Sequence, residues 1–284
     1  MTNQNVFETI SAQYFQLTNS EKKVADYILG HRIDAQYMSI SELAEECDVA
    51  DATISRFCRR LGVGGYNAFK LELAKASMTH RSGTLLEQLG ESKSGYSDLC
   101  RRILQENMTV MEQTIQLLDA GHVRKAMDLI QKARRVVCMG QGGSMVMAEE
   151  AWSMFSTISP KFSSVPDSHL QANTAALMGE GDVILFFSYS GSTRDLQDIL
   201  GIARKRNVKV ILVSRFPKSP GGQLADVVLQ CGANESPLQA GSATARIAQL
   251  VVLEVLFRHL YDSDPQQAEA CREIIAEAVS QKHL

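Results

Sequence analysis

The chain has 284 residues, of which 45% are hydrophobic and 21% are charged, and it contains only six prolines. This composition excludes a disordered, a collagen-like or a disulfide-stapled protein, and the length predicts about two domains. The formal net charge of −3 argues against indiscriminate nucleic-acid binding, which usually accompanies a strongly basic domain.

The apolar pattern changes along the chain and predicts an α/β protein with an all-α N-terminal domain. Residues 1–80 show helical spacing and no convincing strand. Residues 81–97 are rich in serine, glycine and charge, which predicts a linker. Residues 98–284 open with a long amphipathic helix and then alternate between strand and helix, so we expect a second, α/β domain there.

Capping signals divide the N-terminal domain into helices. Thr18 with Glu21 and Ser39 with Glu42 both fit the capping box, so each pair predicts a helix start. Residues 48–50 predict a tight turn, and residues 51–61 predict the next helix. Because Ala50 stands where an N-cap serine is common, we expect Asp51 to cap this helix. A short helix, a three-residue turn and a second helix are typical of a helix-turn-helix.

The helix after the turn has one apolar and one polar face. Ile54, Phe57, Cys58 and Leu61 fall on the side that we expect to be buried. The opposite side and the next helix supply the candidate DNA contacts, which are Ala52, Thr53, Ser55, Arg56, Arg59, Arg60 and Lys70. Small residues allow close approach to base edges, and guanidinium groups reach phosphates or guanine. The alternative is an ordinary three-helix bundle with a solvated arginine face.

The net charge of the chain hides a local basic patch. Residues 56–81 carry six basic side chains against a single acidic residue, Glu72. We therefore expect modest non-specific binding and recognition of a matched operator by a paired protein.

Four short, apolar, β-branched runs in the second domain predict a doubly wound parallel sheet: RRVVCMG, GDVILFFS, VKVILVS and DVVLQ. Two Gly/Ser-rich loops, residues 140–144 and residues 188–193, follow the first two of these strands. In a parallel sheet such loops lie at the carboxyl ends of the strands, where open α/β folds bind ligands.

The second loop has the chemistry of a phosphate cradle. Its backbone N–H groups and the hydroxyls of Ser188, Ser190 and Thr193 can donate to phosphate oxygens, and Gly191 permits a sharp turn. The sequence contains no GxxxxGK[ST] element there, which argues against a nucleotide P-loop, and the first loop is not GxGxxG. A plain strand-to-helix turn is the alternative interpretation of either loop.

GQGGS followed by SYSGSTRD resembles the paired signature of the sugar isomerase (SIS) domain. Together with ATISRFCRRLG and NAFK in the N-terminal helices, this signature resembles the RpiR-type family of sugar-phosphate-responsive transcriptional regulators. The resemblance implies an N-terminal domain that binds operator DNA, a SIS domain that binds a phosphorylated sugar effector, and a homodimer or homotetramer.

The resemblance also implies a set of phosphosugar-binding residues. The candidates are Gly142, Ser144, Ser188, Ser190, Gly191 and Thr193, with His169, Glu235 and Ser242 at the sugar end of the site. Two of these have simpler interpretations, because His169 could cap the following helix and Glu235 could be a solvated carboxylate.

Two other functions remain open at this point. An isomerase would need a general base, for which His169, Glu149, Glu150 and Glu235 are available, but none has a recognisable acid–base partner. We therefore assign no catalytic residue and expect no enzyme activity. The third possibility is a phosphosugar sensor that acts on a protein partner.

Cysteine and histidine spacing predicts neither a metal site nor a disulfide framework, and we expect no cofactor. The six cysteines are expected to be buried free thiols in a reducing cytosol: Cys47, Cys58, Cys100, Cys138, Cys231 and Cys271. The N-terminus has no basic region followed by an apolar stretch, and the longest apolar run is only residues 183–187. These features predict a cytoplasmic protein without a membrane partner.

Overall fold

The computed structural model describes residues 5–89, 95–232 and 242–280, with the side chains of residues 78–89 and 95 left aside. The chain divides into two compact units, and the division falls between Gln105 and Glu106.

Helices alone build the N-terminal unit within the described residues. They are α1 (Val6–Gln13), α2 (Asn19–Gly30), α3 (Ile40–Glu46), α4 (Asp51–Arg60), α5 (Tyr66–Leu89) and the first part of α6 (Gly95–Leu117), with short 3₁₀ turns at Tyr14–Gln16 and Asp34–Tyr37. Both capping boxes are present. The hydroxyls of Thr18 and Ser39 each accept a hydrogen bond from the third backbone N–H of their helix, and their own backbone N–H groups donate to the carboxylates of Glu21 and Glu42.

One apolar core holds these helices together. Phe57 of α4 and Phe69 of α5 are fully buried, and their rings meet edge to face with centroids 5.9 Å apart. Ile10 and Ile28 bring α1 and α2 to the same core. Burial of such side chains contributes about 1.5–3 kcal/mol each, so this core fixes the position of α4.

The linker expected at residues 81–97 contains more helix than its composition suggests. Helix α5 continues to Leu89 and α6 begins at Gly95. The domain boundary itself stays a prediction.

The second unit contains a five-stranded sheet covered by helices. After the second part of α6 its elements are α7 (Ala120–Lys132), β1 (Arg135–Gly140), α8 (Gly143–Ser156), β2 (Phe162–Ser164), α9 (Ser168–Leu177), β3 (Asp182–Phe187), α10 (Arg194–Lys205), β4 (Lys209–Ser214), α11 (Pro220–Leu224), β5 (Val227–Gln230), α12 (Ala243–Ser263) and α13 (Pro265–Ser280). Every strand pair is parallel, and the order is β2-β1-β3-β4-β5.

The sheet is doubly wound, as the sequence predicts. All six residues of β3 are buried, because helices cover both faces. Val137, Ile184 and Leu212 pack with α9 and α10 on one face. Residues of the alternate parity, such as Val136 and Leu185, pack with α7, α8 and α12 on the other.

The strand order reverses between β1 and β3. Gly140, the last residue of β1, pairs with Phe187, the last residue of β3. The two loops that follow therefore leave the sheet side by side, at the topological switch point where doubly wound folds bind ligands.

Candidate functional site

The tight turn of the helix-turn-helix lies at residues 47–50, between α3 and α4. Asp48 adopts a left-handed backbone conformation with φ 50°, which only a few residue types tolerate. Lys23 Nζ lies 2.8 Å from Asp48 Oδ2, and this hydrogen bond lowers the pKa of the carboxyl group. The contact ties the turn to α2.

Helix α4 presents a polar surface above an apolar back. Ile54, Phe57 and Cys58 are completely buried, as the helical arithmetic predicts. Ala52, Arg56 and Arg59 are exposed, and Ser55 is half-buried. A small residue beside two guanidinium groups suits the approach of a helix to the major groove.

Two side chains of α4 differ from the expected arrangement: the expected Asp51 cap is wrong, and Thr53 is buried, although its contact with DNA stays a prediction. Thr53 is only 7% exposed, and its hydroxyl lies 3.3 Å from Arg56 Nη2, so the side chain faces inward and braces Arg56. Asp51 does not cap the helix, because Ala50 occupies the N-cap without a side-chain hydrogen bond. The Asp51 carboxylate instead accepts a 2.9 Å hydrogen bond from the hydroxyl of Ser41 on α3.

Arg60 is occupied by contacts inside the domain. Its Nε lies 3.2 Å from Oε1 of buried Glu21, and its Nη1 donates to the carbonyl of Gln16 at 2.7 Å. Lys70 is half-buried on α5. Arg60 is itself exposed, but these contacts hold it, so Arg56 and Arg59 are the exposed arginines of α4 that remain for a contact outside the domain.

The first Gly/Ser loop joins β1 to α8. Gly142 is the N-cap of α8 and has φ 54°, a conformation that favours glycine. A Cβ at Gly140 would lie 2.6 Å from the carbonyl oxygen of Ser144, so only glycine allows the strand and helix to approach this closely. Ser144 lies half-buried in the first turn of α8.

The second loop folds around its own serines. Ser188 is 5% exposed, and its Oγ accepts a 3.2 Å hydrogen bond from the N–H of Gly191. Ser190 Oγ accepts from the N–H of Ser192 at 3.3 Å and keeps its own O–H free to donate to a ligand. The Ser188 hydroxyl, expected to face a ligand, thus helps to build the loop.

Gly191 is the tightest position of this loop. Its φ is 59°, and a Cβ there would collide with Ser219. Its carbonyl accepts from the N–H of Gly221 at 2.8 Å, and Ser214 Oγ donates to the Tyr189 carbonyl at 3.1 Å. The sequence carries no signal for these partners, because they lie at the end of β4 and in the segment that follows it.

The remaining candidates differ in their surroundings. Thr193 is exposed at the N-cap of α10 and makes no capping hydrogen bond, so its hydroxyl faces solvent beside the start of a helix. Ser242 caps α12 by accepting from the N–H of Ala245. His169 is exposed on α9, whose cap is Asp167 rather than His169. Glu235 lies outside the described residues.

The cysteines are free thiols, but two are not buried. Cys100 is exposed and Cys271 is partly exposed, whereas the other four are buried as expected. No group of three His, Cys, Asp or Glu side chains within the described residues could hold a metal ion. No helix in the described ranges is long and apolar enough to cross a bilayer.

Comparison with known proteins matches both units. Residues 4–80 match the model of the helix-turn-helix domain of the rpiR family, and residues 129–258 match the model of the SIS domain.

Three similar proteins cover most of the chain. An HTH-type transcriptional regulator of Haemophilus influenzae is 32% identical over 92% of this chain and 91% of its own length. The bifunctional protein glk of Paraburkholderia xenovorans is 32% identical over 88% of this chain, which corresponds to 39% of that protein. The Vibrio vulnificus NanR protein complexed with ManNAc-6P superposes with a TM-score of 0.85 at 26% identity, covering 98% of this chain and 99% of NanR.

The fold, the helix-turn-helix, the paired Gly/Ser loops and these matches agree over nearly the whole described chain. The chain therefore belongs to the RpiR-type family of transcriptional regulators, in which a helix-turn-helix domain precedes a SIS domain.

Proposed function

We propose that this chain regulates genes of sugar metabolism and that a phosphorylated sugar in the SIS domain sets its affinity for operator DNA. The observation that carries the proposal is the pairing of Gly140 with Phe187, which brings both Gly/Ser loops to the switch point. The complex of NanR with ManNAc-6P supports the same class of ligand.

The phosphate end of the proposed site uses free donors at the starts of two helices. Ser144, Ser190 and Thr193 offer hydroxyl groups, and the N-terminus of α10 offers backbone N–H groups. Gly142, Ser188 and Gly191 act by shaping the loops. Their contacts within the loops support this division of roles.

The sugar end of the proposed site carries His169, Glu235 and Ser242, as the family resemblance implies. His169 is exposed on α9, so its ring nitrogens can reach a ligand. Ser242 lies at the start of α12, where its Oγ accepts a hydrogen bond from the N–H of Ala245.

The proposed contacts with DNA are made by Arg56 and Arg59. Ala52 and Ser55 lie beside them on α4, and Lys70 of α5 contacts a phosphate. Thr53 and Arg60 support this surface from within the domain.

We further propose that the regulator is a homodimer or homotetramer acting in the cytoplasm, where its operator lies. Met108, Met111 and Ile115 on α6 support self-association, because they recur at three- and four-residue spacing and are each 38–55% exposed. The effector acts by binding two arrangements of the oligomer with different affinity. Replacing Met108 and Met111 with Glu should lower the mass in solution by light scattering.

We also propose that the chain is not an isomerase. Glu149, Glu150 and His169 are all exposed, and none is hydrogen-bonded to another within the described residues. A base without an orienting partner is poorly placed for proton transfer.

Operator binding with and without sugar phosphates tests the proposal. Fluorescence anisotropy with DNA from upstream of the gene should give a specific complex whose Kd changes with one phosphosugar. Ser190→Ala with Thr193→Ala should abolish that response and leave operator affinity intact. The matched control is Ser156→Ala with Thr157→Ala, at the opposite end of α8, where both hydroxyls donate to helix carbonyls.

Three results would count against the proposal. No binding to any upstream fragment at moderate salt rules out the regulator. Equal loss of operator and effector binding in the Ser190/Thr193 variant assigns the loop a folding role. Turnover of hexose or pentose phosphates by the parent that is lost in Glu235→Ala would favour the isomerase function.

A further inference from the structure

Gln171 on α9 is a completely buried polar side chain at the edge of the proposed ligand site. Its Nε2 donates to the carbonyl of Gly140 at 3.0 Å and to the carbonyl of Val165 at 2.7 Å. Its Oε1 lies 2.8 Å from Nε2 of Gln141, the residue that follows Gly140 in the first loop. Gln171 thus connects the end of β1, the segment after β2 and the first loop.

The two carbonyl partners fix the orientation of the Gln171 amide. A carbonyl oxygen only accepts, so the NH₂ group must face Gly140 and Val165, and both of its N–H bonds are used. The oxygen of Gln171 then faces Gln141, which has to present its own NH₂ group. The orientation of the Gln141 amide follows from this chain of contacts.

The oriented amide leaves Oε1 of Gln141 available for a ligand. Gln141 is half-buried, and no donor within the described residues reaches this oxygen. Gly140 pairs with Phe187 at the ends of β1 and β3. Gln141 directly follows Gly140 and Ser188 directly follows Phe187, so Gln141 lies beside the start of the second loop.

The chemistry of this oxygen differs from that of the phosphate-binding groups. Backbone N–H groups and serine O–H groups donate, which suits phosphate oxygens. An amide oxygen accepts, so it repels a phosphate and suits a hydroxyl or N–H group.

We propose that Gln141 is a specificity-determining residue that accepts a hydrogen bond from a hydroxyl or amide N–H of the sugar, and that Gln171 is the positioning residue that orients it. The proposal rests on the proposed function, because it assumes a phosphorylated sugar between the two loops. It adds that one contact with the sugar itself is made by a hydrogen-bond acceptor of the protein.

The experiment compares parent, Gln141→Met, Gln171→Met and the double variant. Glucose 6-phosphate, fructose 6-phosphate and N-acetylmannosamine 6-phosphate are screened by thermal shift, and the Kd of each ligand that stabilises the parent is measured by calorimetry. Sulfate, which has acceptors only, reports on the phosphate-binding groups. Gln223→Met, an exposed glutamine on α11, is the matched control.

We expect Gln141→Met to raise the Kd of the phosphosugar by roughly three- to tenfold, which corresponds to the loss of one neutral hydrogen bond, and to leave the Kd of sulfate unchanged. Gln171→Met should raise the Kd of the phosphosugar by a similar factor in the parent and scarcely at all in the Gln141→Met background, because the two residues act through one contact. A ligand analogue lacking one sugar hydroxyl or N-acetyl group should lose the same factor and be insensitive to Gln141→Met.

Two outcomes separate the inference from the function on which it rests. A parent that binds none of the three phosphosugars contradicts both. A parent that binds one of them while Gln141→Met binds it equally well overturns the inference alone. If Gln171→Met does not fold, the comparison of Gln141→Met with the shortened analogue still decides the question.

Discussion

Arg60 of the recognition helix α4 forms an ion pair with Glu21 of α2, with Nε and Oε1 3.2 Å apart. Glu21 is 5% exposed, and its other oxygen accepts from the N–H and the hydroxyl of Thr18 in the capping box. One buried carboxylate therefore stabilises the start of α2 and holds the end of α4. Arg60 therefore supports the packing of α2 against α4, whereas we expect Arg56, on the same helix, to contact DNA.

Arg60→Ala should lower the stability of the N-terminal domain by about 1–2 kcal/mol, because it leaves the buried Glu21 carboxylate without its cation. We place the cost below that of a fully buried pair because the Arg60 side chain is 42% exposed. Thermal unfolding by circular dichroism measures the loss.

Arg56→Ala is the matched comparison on the same helix. It should leave the Tm nearly unchanged and raise the Kd for operator DNA, because Arg56 is exposed on the polar surface. The opposite pattern, with Arg56 affecting stability and Arg60 affecting only DNA affinity, would contradict these assignments.

Gly191→Ala should impair the second loop. The residue has φ 59°, and a Cβ would collide with Ser219, so both backbone strain and a steric clash oppose the substitution. We expect a loss of stability of about 2 kcal/mol or more and no measurable phosphosugar binding.

Gly201→Ala is a stringent control for this prediction. Gly201 lies within α10, and nothing is within 4 Å of the position that a Cβ would take. Alanine there should stabilise the domain by up to about 1 kcal/mol and preserve binding. Equal behaviour of the two variants would show that the second loop tolerates a side chain.

Local patterns in the sequence carry the features that were predicted successfully. Thr18 and Ser39 lie three residues from their capping partners, and the apolar face of α4 repeats within a single helix. The buried strands are apolar over their whole length, so a short window identifies them. Strand β2, by contrast, has three residues with one of them buried, and no such window detects it.

Non-local contacts explain the rest of the site. The partner of Arg60 lies 39 positions earlier in the chain, and the residues that close around Gly191 belong to β4 and α11. The strand order decides which loops become neighbours, and residue types alone do not encode it. The sequence therefore identifies the serines and arginines as candidates, whereas the contacts that some of them make inside the protein become visible only in the fold.

Gln249 on α12 gives a prediction in the stabilising direction. It is 2% exposed, and its Nε2 is the one buried side-chain nitrogen or oxygen in the described ranges without a hydrogen-bond partner. A buried unsatisfied amide costs about 1–3 kcal/mol, so Gln249→Met should raise the free energy of unfolding by about 1 kcal/mol. Urea denaturation followed by fluorescence measures this change.

Gln249→Glu provides the comparison, because a buried carboxylate at the same position should lower stability. A lower midpoint for Gln249→Met than for the parent would mean that the amide has a partner in solution, such as an ordered water molecule.

The thiols give a pH-dependent prediction. Burial raises the pKa of Cys47 to about 11 and that of Cys58 to about 12, and it raises the pKa of Cys138 further. At pH 8 these groups are protonated and shielded, whereas Cys100 is exposed. Iodoacetamide should therefore label Cys100 first in the native protein, then the partly exposed Cys271, and reach the buried thiols only on unfolding.

The same shifts determine how stability changes at alkaline pH. Unfolded cysteine ionises near pH 8.5, while the folded thiols keep their protons, so above that pH the unfolded state binds fewer protons and becomes favoured. The stabilisation is fully present below about pH 8.5 and declines as the pH rises toward the folded pKa. For Cys58 we expect a decline of about 1–2 kcal/mol between pH 8 and pH 10.

Cys58→Ala should flatten the dependence of the urea midpoint on pH, whatever its effect on absolute stability, and Cys100→Ala should leave the slope unchanged. An unaltered slope in Cys58→Ala would mean that this thiol does not contribute to the alkaline loss, and Cys47, whose pKa burial raises to about 11, would then be the group to replace with Ala.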